Sequence, residues 1–377
     1  MIPFARIIQY GNNIPTDNIK KIACSTTNSV FVLTESGELY GFGNNNNGEL
    51  GTGNKDRIST VVRIDSGVSD VWAGAGFSIY KKGLEFFSAG YGSFYGSSAV
   101  ESLTFINITF LFSSLNILSI QKIELTTALF ILMQNGDLYG SGVNTGGQFG
   151  TGALASARYA TPTLIQSGVM DFNIIGNGSI ILKSDGFMYS AGTNGNGQLG
   201  STTAGTVLTY TQISKFANVT NFGSFGSTAI TTLCKDSDGK TWISGNSYGV
   251  DNPAVATTLF SKEAILPDGA FRFISTRATA NTPIICTPTG YYFAGTNPYG
   301  AYGVGTNVTA TVFTRMETMD NYISDYTKVP VMDGCFYGTY FAVGDKLYGA
   351  GNGNTGNVPG RTGTQRNYVE IILRGNA

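Results

Sequence analysis

The sequence predicts an all-β chain folded as one seven-bladed β-propeller with four-stranded blades. Three observations predict it. A glycine-rich phrase recurs seven times at near-constant spacing. Each copy follows a β-rich run that ends in a turn dipeptide. No window carries a sustained helical period, so helix content should be very low.

The clearest copies of the phrase are GELYGFGNNNNGELGTG (37–53), GDLYGSGVNTGGQFGTG (136–152) and GFMYSAGTNGNGQLG (186–200). Weaker copies occupy 239–249, 289–305 and 345–356, and the weakest is GLEFFSAGYGSFYG (83–96). The anchor is the glycine after the aromatic: Gly43, Gly90, Gly142, Gly192, Gly245, Gly295 and Gly351. Successive gaps are 47, 52, 50, 53, 50 and 56 residues, the period of a four-stranded propeller blade.

Each repeat has one grammar. A β-rich run such as SVFVLTESG (29–37) or TALFILMQNG (127–136) ends in Ser-Gly, Asn-Gly or Asp-Gly, which supply the positive φ of a tight hairpin. A strand follows that carries Tyr40, Tyr139, Tyr189, Trp242, Tyr292 or Tyr348. The N-x-x-G segment then turns the chain toward an outer strand, expected at Thr60–Ile64, Thr163–Gln166, Tyr210–Ile213, Val312–Met316 and Tyr368–Leu373. Stacking seven such sheets around an axis buries faces that no blade can bury alone.

Residues 19–377 are therefore expected to form the propeller, with 1–18 as an N-terminal segment that adds a strand or acts as a docking arm. The segment ARIIQY (5–10) reads as an eighth outer strand for seven hairpins. Either both chain ends enter the closing blade or one leaves the ring. The apolar stretch Leu103–Ile120 is interrupted by Thr104, Asn107, Thr109, Ser113, Ser114 and Asn116. It reads as two buried strands with a turn near Ser113–Asn116, so no membrane insertion is expected. The N-terminus lacks the apolar core of a signal peptide.

Composition narrows the chemistry. The 377 residues include 23 Lys+Arg, 24 Asp+Glu and no His, so no basic footprint for nucleic acid is present. Without histidine, Ser-His-Asp and Cys-His mechanisms are excluded, and so is the commonest transition-metal ligand. Cys24, Cys234, Cys286 and Cys335 share no C-x-x-C spacing and read as four separate, part-buried thiols. Asp236-Ser-Asp238-Gly239 lacks the rest of a calcium loop and falls where other repeats have their hairpin turn. The glycine-rich segment 51–57 lacks the spacing of a phosphate loop. No cofactor, metal or catalytic residue is expected.

The string G-x-L-Y-x-x-G-x-N-x-x-G-x-L-G at 37–51 and 186–200, and at 136–150 with Phe149 for Leu, resembles the repeat of the RCC1 (regulator of chromosome condensation) family. The resemblance spans about 20–373 and weakens outside those three repeats. It implies a seven-bladed propeller, usually closed by pairing of the chain ends, that binds other proteins through the loops on its faces. Its relatives include a nucleotide exchange factor, ubiquitin-ligase modules and an inhibitor of β-lactamases. Neither the exchange factor's catalytic loop nor its basic tail can be located here.

Candidate partner-binding residues sit before the last glycine of the N-x-x-G segment: Asn47, Tyr95, Asn196, Tyr248 and Tyr299. The tyrosines offer large contact area at low entropic cost; the competing role is a wedge between adjacent blades. The expected function is a non-catalytic protein-binding or structural propeller. Low charge and abundant Asn, Thr and Gly point to a bacteriophage virion component: a decoration, tail or receptor-binding protein on the virion surface. Its partners would be virion proteins or a host surface receptor. Two alternatives stay open. One is a soluble, cytoplasmic regulatory or inhibitory module, and the other is a propeller that binds a glycan.

Overall fold

Positive-φ glycines close the hairpins between the second and third strands of successive repeats. Gly37, Gly136, Gly186 and Gly239 have φ of 89°, 85°, 83° and 83°. At Gly37 the turn closes with Gly37 N–H donating to the Thr34 carbonyl at 3.1 Å. The computed structural model describes residues 17–92, 101–203, 205–213, 217–225, 231–246, 256–263, 266–270, 272–274, 283–297, 299–307, 309–327, 331–335 and 337–373.

These residues form seven antiparallel four-stranded sheets, each built from four strands consecutive in the chain. Blade 1 runs through Ile19–Cys24, Ser29–Thr34, Leu39–Gly43 and Ile58–Asp65. The inner strands of blades 2 to 7 are Asp70–Ala73, Ile120–Leu125, Val169–Ile175, Asn221–Phe225, Arg272–Ile274 and Val331–Cys335. The inner strand of blade 7 lies against that of blade 1 and closes the ring. The protein is an all-β, seven-bladed propeller. Helical structure among the described residues is confined to 3₁₀ segments of at most five residues.

The core lies between the blades. Seven buried apolar clusters occupy the seven seams, one to each pair of neighbours. Phe130 of blade 3 meets Phe172 of blade 4 with ring centroids 6.0 Å apart. Phe341 of blade 7 packs with Ile284 and Phe293 of blade 6. Burying side chains of this size stabilises by about 1.5–3 kcal/mol each, and that gain exists only when the neighbouring blade is present.

Blade 7 takes four strands from Val331–Cys335, Gly338–Val343, Lys346–Asn352 and Thr364–Ile371, and its inner strand lies against that of blade 1. ARIIQY, the segment expected to reach the closing blade or leave the ring, lies outside the described residues. Two other expectations need correction. The stretch 103–120 is not two buried strands. It continues the largely exposed outer strand Glu101–Asn107 and then makes 3₁₀ turns at Thr109–Phe112 and Ile117–Ser119. The first turn buries Leu111 and Phe112, with Phe112 stacked on Phe86, whereas Phe110 and Leu118 are exposed and Phe105 packs from the strand on Tyr80. The cysteines are fully buried, and Cys24 and Cys335 share the cluster at the closing seam.

Candidate functional site

In a four-strand meander the loops after the first and third strands emerge at one end of the sheet. The hairpin and the connection to the next blade emerge at the other. The N-x-x-G segments therefore share one face of the ring, together with the loops that follow each inner strand.

The anchor glycines hold this face together. All seven sit at positive φ, from 87° at Gly245 to 134° at Gly351. A Cβ on Gly43, Gly90 or Gly192 would lie 2.4 Å from the carbonyl oxygen of Asn28, Gly76 or Asn177. The cause is a hydrogen bond made by the next residue. Asn44, Tyr91 and Thr193 donate their N–H groups to those same carbonyls at 3.0, 2.8 and 3.0 Å. The register between third and outer strands also shifts just before the anchor in every blade. Such a bulge bends the strand and starts the loop.

A buried asparagine two residues after the anchor then clamps the loop. Asn45, Asn144, Asn194 and Asn297 accept with Oδ1 from the N–H five residues on, at 2.9, 2.9, 2.9 and 3.3 Å. Their Nδ2 groups donate to the carbonyl nine residues on, at 3.0, 3.3, 2.7 and 2.8 Å. These asparagines are absent from the predicted site residues, although their constant offset from the anchor was the available signal. A second tie crosses the seams. Main-chain carbonyls of Glu49, Gln148 and Gln198 accept from the hydroxyls of Ser78, Ser179 and Thr232 in the following blades, at 2.6, 2.7 and 2.9 Å.

The predicted binding residues fall on this frame. Asn196 is exposed and Asn47 half-buried. Their N–H groups donate to Gln198 Oε1 and Glu49 Oε2 at 2.8 and 2.9 Å. Tyr299 is half-buried, and its ring meets Tyr337 of blade 7 edge-on with centroids 4.8 Å apart. Tyr95 and Tyr248 lie outside the described residues. The structure thus brings Tyr299 to the seam between blades 6 and 7 and leaves Asn47 and Asn196 on separate blades.

One seam over, between blades 7 and 1, the loop face holds a cavity of about 460 Å³ lined by Asn28, Asn44, Asn46, Arg57, Tyr337 and Thr355. Asn28 lies at φ 72°, one of two described non-glycine residues at positive φ. Its Oδ1 accepts from Tyr337 N–H at 3.1 Å, and its carbonyl accepts from Asn357 Nδ2 at 3.2 Å.

The opposite face is ionic. Lys21 of blade 1 reaches Asp70 of blade 2 at 2.7 Å, and Lys122 of blade 3 reaches Asp171 of blade 4 at 2.7 Å and Glu124 at 3.0 Å. Burial works against the Lys122 ammonium, but Glu124 and Asp171 outweigh it and hold it above the usual lysine range. The two ammonium groups also lie over Trp72 and Phe172, at 4.8 and 4.7 Å from the ring centroids. A cavity of about 480 Å³ opens here beside Lys21, Asp70, Trp72, Lys81 and Lys122. Lys21 and Lys122 already have carboxylate partners, so these pairs join inner strands rather than wait for a ligand.

Asp236 is a turn residue. Its Oδ1 accepts from the N–H groups of Asp238 and Lys240, at 3.0 and 2.9 Å, and its Oδ2 accepts from Trp242 Nε1 at 2.8 Å. Partial burial opposes ionisation, but these hydrogen bonds hold the carboxyl below the usual aspartate range. Among the described residues no group of three or more Cys, Asp or Glu side chains is placed to hold a metal ion. No helix of these residues is long and apolar enough to cross a membrane.

Family models described as Regulator of chromosome condensation (RCC1) repeat match residues 19–49 and 36–80, which span blade 1 and enter blade 2. The chain is an RCC1-like repeat propeller. Solved structures agree on the fold. Human WBSCR16 is 16% identical with a TM-score of 0.68, over 87% of this chain and 87% of that one. Prp20p from Saccharomyces cerevisiae is 15% identical with a TM-score of 0.69, over 90% and 87%. Yeast RCC1 (Prp20) bound to Kap60 is 14% identical with a TM-score of 0.69, over 91% and 85%.

Proposed function

We propose that this RCC1-like propeller is a non-catalytic scaffold that binds a partner protein through its N-x-x-G loop face. One observation carries the reading. The loops are held by the same internal clamp in blades 1, 3, 4 and 6, while their tips carry three residue types: Asn47 and Asn196, Gly146, and Tyr299. A rigid frame that presents variable tips is the usual arrangement of a recognition surface. Similar propellers support it by analogy, since Prp20p was solved with its binding to Gsp1p and histones in view, and yeast RCC1 was solved with Kap60.

The proposed setting is a bacteriophage virion surface, with virion proteins or a host receptor as partners. Its support is compositional: no histidine, 12% charged residues, 51 glycines and abundant Asn and Thr. Capture on the immobilised chain tests the binding role. A stoichiometric partner should be retained and then lost on combining Asn196→Ala, Tyr248→Ala and Tyr299→Ala. Retention unchanged by the triple substitution would overturn the loop-face assignment. Mass spectrometry of purified particles tests the setting, which fails if the chain is missing from every particle.

A further inference from the structure

The cavity at the closing seam goes beyond protein binding. We infer that it is a subsite for an acidic saccharide, a sugar ring carrying a carboxylate. Its lining residues come from both ends of the chain: Asn28, Asn44, Asn46 and Arg57 from blade 1, and Tyr337 and Thr355 from blade 7. The site therefore exists only once the ring has closed.

Three observations point to a ligand. Asn28 is 9% exposed, yet only half of its amide is used. Oδ1 accepts from Tyr337 N–H, while Nδ2 has no hydrogen-bond partner among the described residues. Nδ2 is not among the buried polar atoms left without a partner, so it keeps contact with solvent and is free to donate to a ligand in the cavity. Second, the Arg57 guanidinium and the exposed Asn46 amide have no partner among the described residues. They lie on the same loop as Asn44, whose own amide is occupied by Thr27 O and Asn45 N–H. Third, Asn28 is held in the left-handed region by bonds that its main-chain carbonyl makes to Asn44 N–H and Asn357 Nδ2.

The chemistry of the lining selects the ligand. Amides and a hydroxyl both donate and accept, which suits a ring of alcohols. The Tyr337 ring, held edge-on by Tyr299, supplies an aromatic wall for the C–H face of a sugar. A single guanidinium with no carboxylate partner fits one carboxylate through paired N–H bonds. None of the six lining residues is aliphatic, so the apolar anchor that dominates most protein contacts has no pocket here. The volume falls within the range of small-molecule sites.

Titration calorimetry with methyl glucuronide and N-acetylneuraminic acid tests the subsite, with methyl galactoside as the neutral control and a Glu-containing tripeptide as the peptide control. The acidic sugars should bind with a Kd of roughly millimolar order, as expected of a single ring. Arg57→Gln should weaken them by at least about tenfold, the loss of a charge-assisted pair. Asn46→Ala should weaken acidic sugars severalfold. Both residues are exposed, so an unchanged melting temperature shows that the variants fold. Binding that survives Arg57→Gln overturns the proposal. So does equal binding of the neutral sugar or of the tripeptide, and so does no heat at about ten times the expected Kd. These results are read without any partner protein, so failure here leaves the protein-binding reading standing.

Discussion

Asn194→Ala isolates the loop clamp. Asn194 is 2% exposed and makes three hydrogen bonds, from Leu199 N–H at 2.9 Å and to the carbonyls of Ser201 and Thr203 at 3.0 and 2.7 Å. Each is worth about 1 kcal/mol net, and the buried Leu199 N–H left behind adds to the cost. The expected loss is about 3 kcal/mol. With unfolding entropy near 2.1 cal/mol/K per residue over 377 residues, that lowers Tm by about 4 °C. Asn194→Asp should be worse, although it is closer in shape. It keeps the acceptor for Leu199 but loses both donors and turns a charge toward two carbonyls. Urea denaturation and calorimetry of the three proteins give the ranking. A loss under about 0.5 kcal/mol for Asn194→Ala, or an aspartate milder than alanine, would refute the clamp.

Further predictions concern the anchors, the seams and acid. Gly192→Ala places a Cβ 2.4 Å from Asn177 O at φ 111° and should cost at least about 3 kcal/mol, whereas Gly53→Ala, at φ 87° with nothing within 4 Å, should cost about 1. Equal melting temperatures for the two variants would contradict the close approach. Lys122→Met leaves Glu124 and Asp171 without their cation and should cost about 2 kcal/mol, between the values typical of exposed and buried pairs. A chevron or urea curve matching the parent would count against a stabilising role. Asp65 is opposed by burial, but Tyr80 Oη–H, Ser66 N–H and Lys82 hold its carboxyl below the usual range. Its contribution is full above the unfolded value of about 3.9 and is lost as pH falls through the folded value. Asp65→Asn should therefore flatten the loss of Tm on acidification below about pH 4, and an unchanged slope by circular dichroism would argue otherwise.

The sequence was most legible where structure is local. Gly192 announces itself because positive φ is a property of one residue and its neighbours. Ser36-Gly37 and Asn135-Gly136 mark their hairpins for the same reason. Asn194 was visible in the repeat, but its role was not, because a clamp is defined by groups five and nine residues later that come close only after the loop has turned. The stretch 103–120 departs from the strand reading because apolar side chains such as Leu111 and Phe112 can be buried from a 3₁₀ turn as well as from a strand. The neighbours that decide, Phe77 and Phe86 of blade 2 and Ile123 of blade 3, lie outside it.

By itself the sequence determined the number of blades, the turns between strands and the glycines that let them form, since these follow from spacing and backbone sterics. How the ring closes was decided only in three dimensions. Asn357 donates to a carbonyl 329 residues away, and Lys21 finds Asp70 across a seam. Such pairings depend on the rotation that each blade adds, which accumulates over seven units before first and last can meet. The cavity beside Asn28 and Tyr337 belongs to that closure. Neither chain end encodes it alone.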